Sequence, residues 1–230
     1  MIRLFCFELD FAGFRFFIEA EHFKSMWISD KRKELTKITT ICLVRHGETE
    51  WNKTGRLQGR TDIPLNETGL KQAEACGQYL QSLNWDVMAA SPLQRAKQTA
   101  EVINSFLQLP LFIIDEFIER DFGDAEGMTR KEIISAFPDR NYPNKESRSA
   151  LEMRIMKGLQ TIHERYEGKR VLLITHGGVI NTLFEILSDG KLGKQKLKLK
   201  NASLSTIRYD NGKWNIIEFN QCSHLAHLNV

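Results

Sequence analysis

Apolar and polar positions along this chain fall into two kinds of block that alternate. Ile41-Cys42-Leu43-Val44 is a continuous apolar run, the pattern of a strand buried on both faces, and it runs directly into Arg45-His46-Gly47. Leu70, Ala73, Gly77, Leu80 and Leu83 then recur at helical spacing. Residues 86–90 read as a short buried strand. Ser91-Pro92 reads as a helix start in which Ser91 caps and Pro92 takes the first helical position. Leu93, Ala96, Ala100, Ile103 and Leu107 form the inward stripe of that helix, which stops before Pro110. Residues 111–114 make another strand, 116–127 an acidic loop, 129–137 a short helix and 147–166 a longer one. The next buried strand, 171–174, ends in Thr175-His176-Gly177-Gly178, and 179–187 pattern as a helix. Residues 204–209 and 214–219 flank Asp210-Asn211-Gly212-Lys213, the signature of a hairpin. Alternating strand and helix predict an α/β domain over 39–230, a mostly parallel central sheet with helices on both faces.

Residues 1–38 break this pattern. Seven of the fourteen phenylalanines lie between Phe5 and Phe23, mixed with Glu8, Asp10, Arg15, Glu19 and Glu21. Those acids interrupt any signal-peptide core, and a transit peptide would be poor in them. Phe7-Glu8-Leu9-Asp10-Phe11 alternates like a strand, with no obvious partner nearby, and residues 29–34 read as a linker. Two roles fit: a segment that docks on the domain or on a partner, or, preferred, an extension upstream of the natural start.

Composition narrows the function classes. Hydrophobic residues at 42% and charged ones at 27% are ordinary for a globular protein. A net charge of +3 is too small to imply nucleic acid, but leaves room for a local positive pocket that takes small anions. Cys6, Cys42, Cys76 and Cys222 are dispersed without metal-ligand spacing, which suits a reducing cytoplasm. Cys42 and Cys76 sit in apolar segments as small buried hydrophobes. No apolar run approaches the roughly 18 residues that span a bilayer, so no membrane partner is expected. The Asn-x-Ser/Thr triplets at Asn52, Asn66 and Asn201 mean nothing without a secretory route. Five lysines in 191–200 read as a solvated connection or edge strand, and His163 as an exposed residue on a charged helix.

The candidate chemistry lies where strands end. Two separate strands run into His-Gly, at His46-Gly47 and His176-Gly177. If both belong to one parallel sheet, both imidazoles emerge at its carboxyl edge, where ligand crevices form. Gly47 lets the chain turn and a ligand approach the backbone. Either motif alone is compatible with a surface ion pair and a satisfied ring; their repetition is what points to a site.

Leu43-Val44-Arg45-His46-Gly47-Glu48-Thr49, Ser91-Pro92-Leu93-Gln94-Arg95-Ala96, residues 119–127 and Thr175-His176-Gly177-Gly178 resemble, in the expected order, the motifs of the histidine phosphatase superfamily, which includes the cofactor-dependent phosphoglycerate mutases. The similarity is greatest to small bacterial broad-specificity phosphatases and spans about 39–219. The resemblance implies a phosphoglycerate mutase-like fold and a phosphomonoester hydrolase acting on small phosphorylated metabolites. It implies His46 as the nucleophile that becomes phosphohistidine, and Arg45, Arg95 and His176 as the positive cradle of the phosphoryl group. Asn52, Gln58, Gly59 and Gly177 would add phosphate contacts, with main-chain donors from the helix after Gly177-Gly178. Glu119 is the implied general acid and base, with Glu116 and Glu126 as rivals, a role that requires a raised pKa. No metal and no cofactor are implied. Phosphoglycerate mutase-type transfer is the alternative, together with narrower phosphatases acting on α-ribazole phosphate or a sugar bisphosphate. The compact stretch from Arg120 to Arg170 lacks the adjacent arginine pair usual in mutases, which favours hydrolysis. Asn144-Lys145-Glu146-Ser147 stands where relatives often have Gly-Glu-Ser, a departure that leaves the shape of that loop open.

Overall fold

Strand β3 (Thr39–Arg45) stands near the middle of a six-stranded sheet and shows how the rest is layered. In this computed structural model, which describes residues 7–11, 14–18, 37–139, 141–193 and 198–228, every residue from Thr39 to Val44 is buried. Successive side chains on a strand point to opposite faces. Ile41 and Leu43 accordingly pack into one apolar cluster, and Cys42 and Val44 into another. The same division holds for β4 (Val87–Ala90) and β6 (Arg170–Thr175). On one face α5 (Arg148–Arg165) and α6 (Gly177–Leu187) close the first cluster with Leu151, Ile155, Leu159, Leu183 and Phe184. On the other, α2 (Glu67–Leu80) and α3 (Gln94–Leu107) close the second with Cys76, Leu80, Ala96, Ala100 and Ile103. Burial of each large side chain contributes about 1.5–3 kcal/mol, which is why the apolar runs became the central strands. The buried Cys42 thiol is pushed up to about 12, as an inert hydrophobe should be.

With β5 (Leu111–Ile113), β7 (Leu204–Asp210) and β8 (Lys213–Gln221), the strand order is β5-β4-β6-β3-β7-β8. The first four are mutually parallel, and β7 runs against its neighbours on both sides. The β7–β8 turn has positive φ at Asn211 and Gly212, which this two-residue loop requires of both. Asn66, Thr129 and Ser147 cap α2, α4 (Arg130–Ala136) and α5 through their side chains.

Several expectations are corrected. Between β3 and α2, where periodicity announces no element, lies a helical turn, α1 (Glu50–Lys53), capped reciprocally by Thr49 and Asn52. Helix α3 begins at Gln94 behind Leu93, with no side-chain cap; the Ser91 hydroxyl accepts the Leu93 N–H at 3.4 Å and lies 2.6 Å from His176 Nε2. His163 is half-buried rather than exposed: its Nδ1 lies 3.1 Å from Thr39 Oγ1, and its ring centroid is 3.9 Å from that of Tyr209. Of the lysine-rich run, residues 191–193 and 198–200 are in no strand, and 194–197 lie outside the described residues. Among the described residues no helix is long and apolar enough to cross a membrane.

The chain divides into two units, Met1–Lys37 and Ile38–Val230. In the first, β1 (Phe7–Phe11) does have a partner, β2 (Phe14–Ile18), paired antiparallel from Phe7↔Ile18 to Phe11↔Phe14. Phe14-Arg15-Phe16-Phe17-Ile18 lacks strict alternation, so periodicity alone does not announce it. The expected linker at 29–34 lies outside the described residues.

Candidate active site

Strands β3 and β6 are adjacent and parallel, with Arg45 opposite Thr175, so His46 and His176 leave the sheet side by side. The His46 N–H donates to Thr175 O at 2.9 Å, and the two ring centroids are 5.2 Å apart. Beyond His46 the chain turns against the start of α2 at a glycine–glycine contact. A Cβ on Gly47 would lie 2.5 Å from Gly69 O, and one on Gly69 would lie 2.1 Å from Glu48 O. Thr99 Oγ1 accepts the Gly47 N–H, and Asn201 Nδ2 donates to both His46 O and Gly47 O. The loop carrying His46 is therefore held from three elements.

His46 Nδ1 lies 2.7 Å from Gly47 O. A carbonyl only accepts, so Nδ1 carries the proton and Nε2 keeps its lone pair in the neutral ring. Burial holds the His46 pKa well below its ordinary value, and the Arg95 and Arg45 charges add to this. His176 is depressed for the same reasons, burial first. Both imidazoles are thus neutral at neutral pH. Arg95 is fully buried and still charged: burial draws it down to about 10, while Glu119, Asp62 and Glu126 oppose the fall. It is fixed by donating to Gly59 O at 2.7 Å and Thr61 O at 3.1 Å. Arg45 donates to Leu199 O and is also lowered by burial, which Glu119 counters.

Several donors around His46 have no partner among the described residues. Arg45 Nε, Arg95 Nε, Gln58 Nε2 and His176 Nδ1 are all buried and unpaired. A buried unsatisfied donor costs about 1–3 kcal/mol, so a cluster of them is a place for an acceptor-rich anion. The other His176 nitrogen, Nε2, is 2.6 Å from Ser91 Oγ; with the hydroxyl donating to it, the neutral ring carries its proton on Nδ1.

Glu119 stands apart from its two rivals. The residue is 5% exposed and lines the same cleft as His46, and its carboxylate takes the Gly178 N–H at 2.9 Å and the Arg120 N–H at 2.8 Å. The neighbouring Arg120 guanidinium donates to Glu146 O. Glu116 instead pairs with Lys157 at 3.0 Å, and burial and four hydrogen bonds commit Glu126 to Arg60, Thr61 and Phe122. A Cβ on Gly178 would lie 2.4 Å from Glu119 Oε1, so the helix start approaches the carboxylate closely. The Gly178 N–H, at the start of the helix expected to offer main-chain donors, serves Glu119.

The cleft, about 980 Å³, is lined by Arg45, His46, Asn52, Gln58, Glu119 and Gly177 among others. Arg95, His176 and Gly59 do not line it; the first two lie buried beside His46. Asn52 accepts from Thr49 and Asn201 through Oδ1. Gly59 has a structural duty, since its carbonyl holds Arg95 and a Cβ would lie 1.8 Å from Glu126 Oε1. Gly177 lacks any steric need for glycine, a Cβ there meeting Arg45 Nε at an ordinary 3.4 Å. Sequence reading missed Ser91, Thr99 and Asn201 as supports of the site; only Ser91-Pro92 carried a local signal, and it pointed to a cap. Among the described residues no group of three or more His, Cys, Asp or Glu side chains could hold a metal ion.

A three-layer α/β fold that places a neutral, oriented imidazole among guanidinium groups and unpaired donors at its carboxyl edge defines an enzyme built to handle an oxyanion. The sequence profile of the Histidine phosphatase superfamily (branch 1) matches residues 41–222, so the chain belongs to that superfamily and is a phosphatase. It is 47% identical to the Bacillus subtilis phosphatase PhoE over 82% of this chain and 98% of that protein. It is 35% identical to the Arabidopsis thaliana metal-independent phosphoserine phosphatase over 91% and 92% of the respective chains. Among solved structures, Bacillus stearothermophilus YhfR superposes with a TM-score of 0.76 at 30% identity, covering 81% of this chain and 99% of that one. The phosphoserine phosphatase of Entamoeba histolytica with 3-phosphoglyceric acid superposes with 0.72 at 29% identity, covering 81% and 99%.

Proposed function

We propose that the chain hydrolyses small phosphorylated metabolites of several kinds through a phosphohistidine on His46, with Glu119 as general acid and base and without a metal. The observation that carries this is the set of unpaired buried donors, on Arg45, Arg95, Gln58 and His176, gathered around a neutral ring. The Nε2 lone pair of His46 attacks phosphorus in line. As the N–P bond forms, the ester P–O bond breaks, and the electron pair leaves on oxygen, which takes the Glu119 proton. Glu119, now a carboxylate, takes a proton from water whose oxygen attacks phosphorus. The N–P bond breaks, its pair returns to Nε2, and inorganic phosphate leaves. Charge on the equatorial oxygens is met by Arg45, Arg95 and the His176 Nδ1 proton, each such donor supplying about 3 kcal/mol of transition-state stabilisation.

The cleft is much larger than a phosphoryl group and offers Leu57, Ile133, Ile134 and Tyr142 beside Arg120 and Arg130, which supports several leaving groups rather than one. A relative that acts on phosphoserine, and a neighbour bound to 3-phosphoglyceric acid, are consistent with ligands of this size. The test is a panel of sugar phosphates, phosphoglycerates, phosphoamino acids, nucleotides and phosphopeptides, run with and without chelator and beside a mutase assay. The reading expects release of phosphate from several small esters, insensitivity to chelator, inhibition by vanadate and no phosphoryl return to product. Loss of turnover in chelator overturns the metal-free mechanism.

A further inference from the structure

Arg154, on α5, touches neither the cleft nor His46, yet every nitrogen of its guanidinium is engaged around the acid loop. Nη1 donates to Glu116 O at 2.7 Å and Ile118 O at 2.6 Å, and Nη2 to Glu119 O at 3.2 Å. The other edge of the fork grips Glu146, Nε to Oε1 at 2.7 Å and Nη2 to Oε2 at 2.9 Å. Both partners are largely withdrawn from water, with side-chain exposures of 16% and 9%, so the pair is screened little. Hydrogen bonding and charge from Arg154 keep the Glu146 carboxyl below its ordinary range although burial pushes it up.

Glu146 is tied to the same loop through its main chain. Its N–H donates to Asp121 O, and its carbonyl accepts from Arg120 Nη2. Its Oε1 also takes Arg60 Nη2 at 3.2 Å. On the adjoining stretch Asp124 N donates to Pro143 O, and a Cβ on Gly123 would lie 2.0 Å from that oxygen. The segment from 143 to 147, where this chain departs from Gly-Glu-Ser, is therefore the outer wall against which the acid loop is set. A single planar fork that binds three main-chain oxygens of 116–119 and one carboxylate determines where the Glu119 backbone sits.

We propose that Arg154, braced by Glu146, is the positioning residue that fixes the carboxyl of Glu119 at the departing oxygen; this rests on the reading of Glu119 as general acid. Lysine has one charged nitrogen and no fork, so it cannot reproduce five directed bonds. Without the clamp the loop drifts, and a misplacement near 1 Å costs on the order of a hundredfold in the step it serves.

The test uses full-length Arg154→Lys, Arg154→Met and Glu146→Gln beside Glu119→Gln. For each, kcat/KM is measured on an aryl phosphate, whose leaving group departs unprotonated, and on an alkyl phosphate, whose leaving group needs the proton. Because kcat/KM stops at the first irreversible step, it isolates phosphoryl transfer from later hydrolysis. The expected result is a loss on the order of tenfold to a hundredfold confined to the alkyl ester in both Arg154 variants, smaller in Glu146→Gln, and in the same sense as Glu119→Gln. If Arg154→Met does not fold, as thermal unfolding will report, Arg154→Lys and Glu146→Gln carry the comparison. Equal losses on both esters, or none, in these variants while Glu119→Gln remains selective overturn the proposal and leave the general-acid reading intact. Absence of selectivity in Glu119→Gln itself overturns that reading and the proposal with it.

Discussion

The contact between Gly69 and the loop that carries His46 makes a sharp prediction for Gly69→Ala. The new Cβ would lie 2.1 Å from Glu48 O, 2.7 Å from Glu48 N and 2.9 Å from Glu48 C, all main-chain atoms. Nothing there can rotate away. Recovering ordinary contact near 3.4 Å moves the start of α2 from the loop by more than about 1 Å. That movement also strains the bonds joining them, from Glu48 N to Gln72 Oε1 at 2.8 Å and from Asn66 N to Glu48 O at 3.0 Å. Overpacking costs about 1–3 kcal/mol, and alanine's better helix propensity returns up to about 1 kcal/mol. The net loss of about 1–2 kcal/mol lowers Tm by about 2–8 °C. Because His46 lies two residues from the clash, kcat/KM on an aryl phosphate should fall on the order of a hundredfold. Gly77→Ala is the control: its Cβ meets the Phe106 ring at 2.5 Å, and that half-buried side chain can move. Its stability should change by less than about 1 kcal/mol and its turnover should stay near wild type. Thermal unfolding and steady-state kinetics on both variants settle the matter. Wild-type kcat/KM in Gly69→Ala, or equal losses in the two variants, refutes the idea that this backbone contact sets the nucleophile.

Three further outcomes are expected. His46 and His176 have folded pKa values well below the unfolded value near 6.5, so the unfolded chain takes up their protons first as pH falls. Their contribution to stability is full above about pH 6.5 and is lost below it, with a slope of up to about 3 kcal/mol per pH unit for the pair. Urea unfolding from about pH 7.5 to about pH 5 should show that slope, flattened in His176→Asn; a pH-independent midpoint contradicts it. Arg95→Met removes what the proposed mechanism uses as a donor to the phosphoryl group and strands Gly59 O and Thr61 O. It should cost about 2–4 kcal/mol in stability and on the order of a hundredfold or more in kcat, without rescue by lysine. Glu119→Ala should slow turnover of alkyl esters while vanadate affinity, measured by inhibition, stays close to wild type.

The frame of the site was legible because its residues sit where local pattern changes. An apolar run that stops at Arg45-His46-Gly47, and another that stops at His176-Gly177, announce strand ends, and the β3–β6 pairing brings them together. The loop motif favours Glu119 over Glu116 and Glu126, but the partners of those two, an ion pair with Lys157 and hydrogen bonds from Arg60, Thr61 and Phe122, are visible only in the fold. The supports were hidden for the same reason. Ser91 looks like a helix cap locally, but 85 residues on lies His176, whose burial leaves the hydroxyl as its partner. Asn201 looked like a meaningless glycosylation triplet, yet it reaches back across 155 positions to hold His46 O. His163 reads as exposed from its charged neighbours on α5, and is covered by Tyr209 and Trp214 from the terminal hairpin. Periodicity reports which face of an element is buried; it is silent on which distant side chain meets a polar atom.

The central claim is that His46 Nε2 forms a bond to phosphorus during turnover. It is tested most directly by mixing the protein with a phosphomonoester labelled in its phosphoryl group, quenching within a turnover, and mapping the label by peptide mass spectrometry under alkaline conditions. An acid-labile, alkali-stable label on His46, absent from His46→Ala, is the predicted result. Turnover by the wild type with no label on His46, and undiminished turnover by His46→Ala, would contradict it.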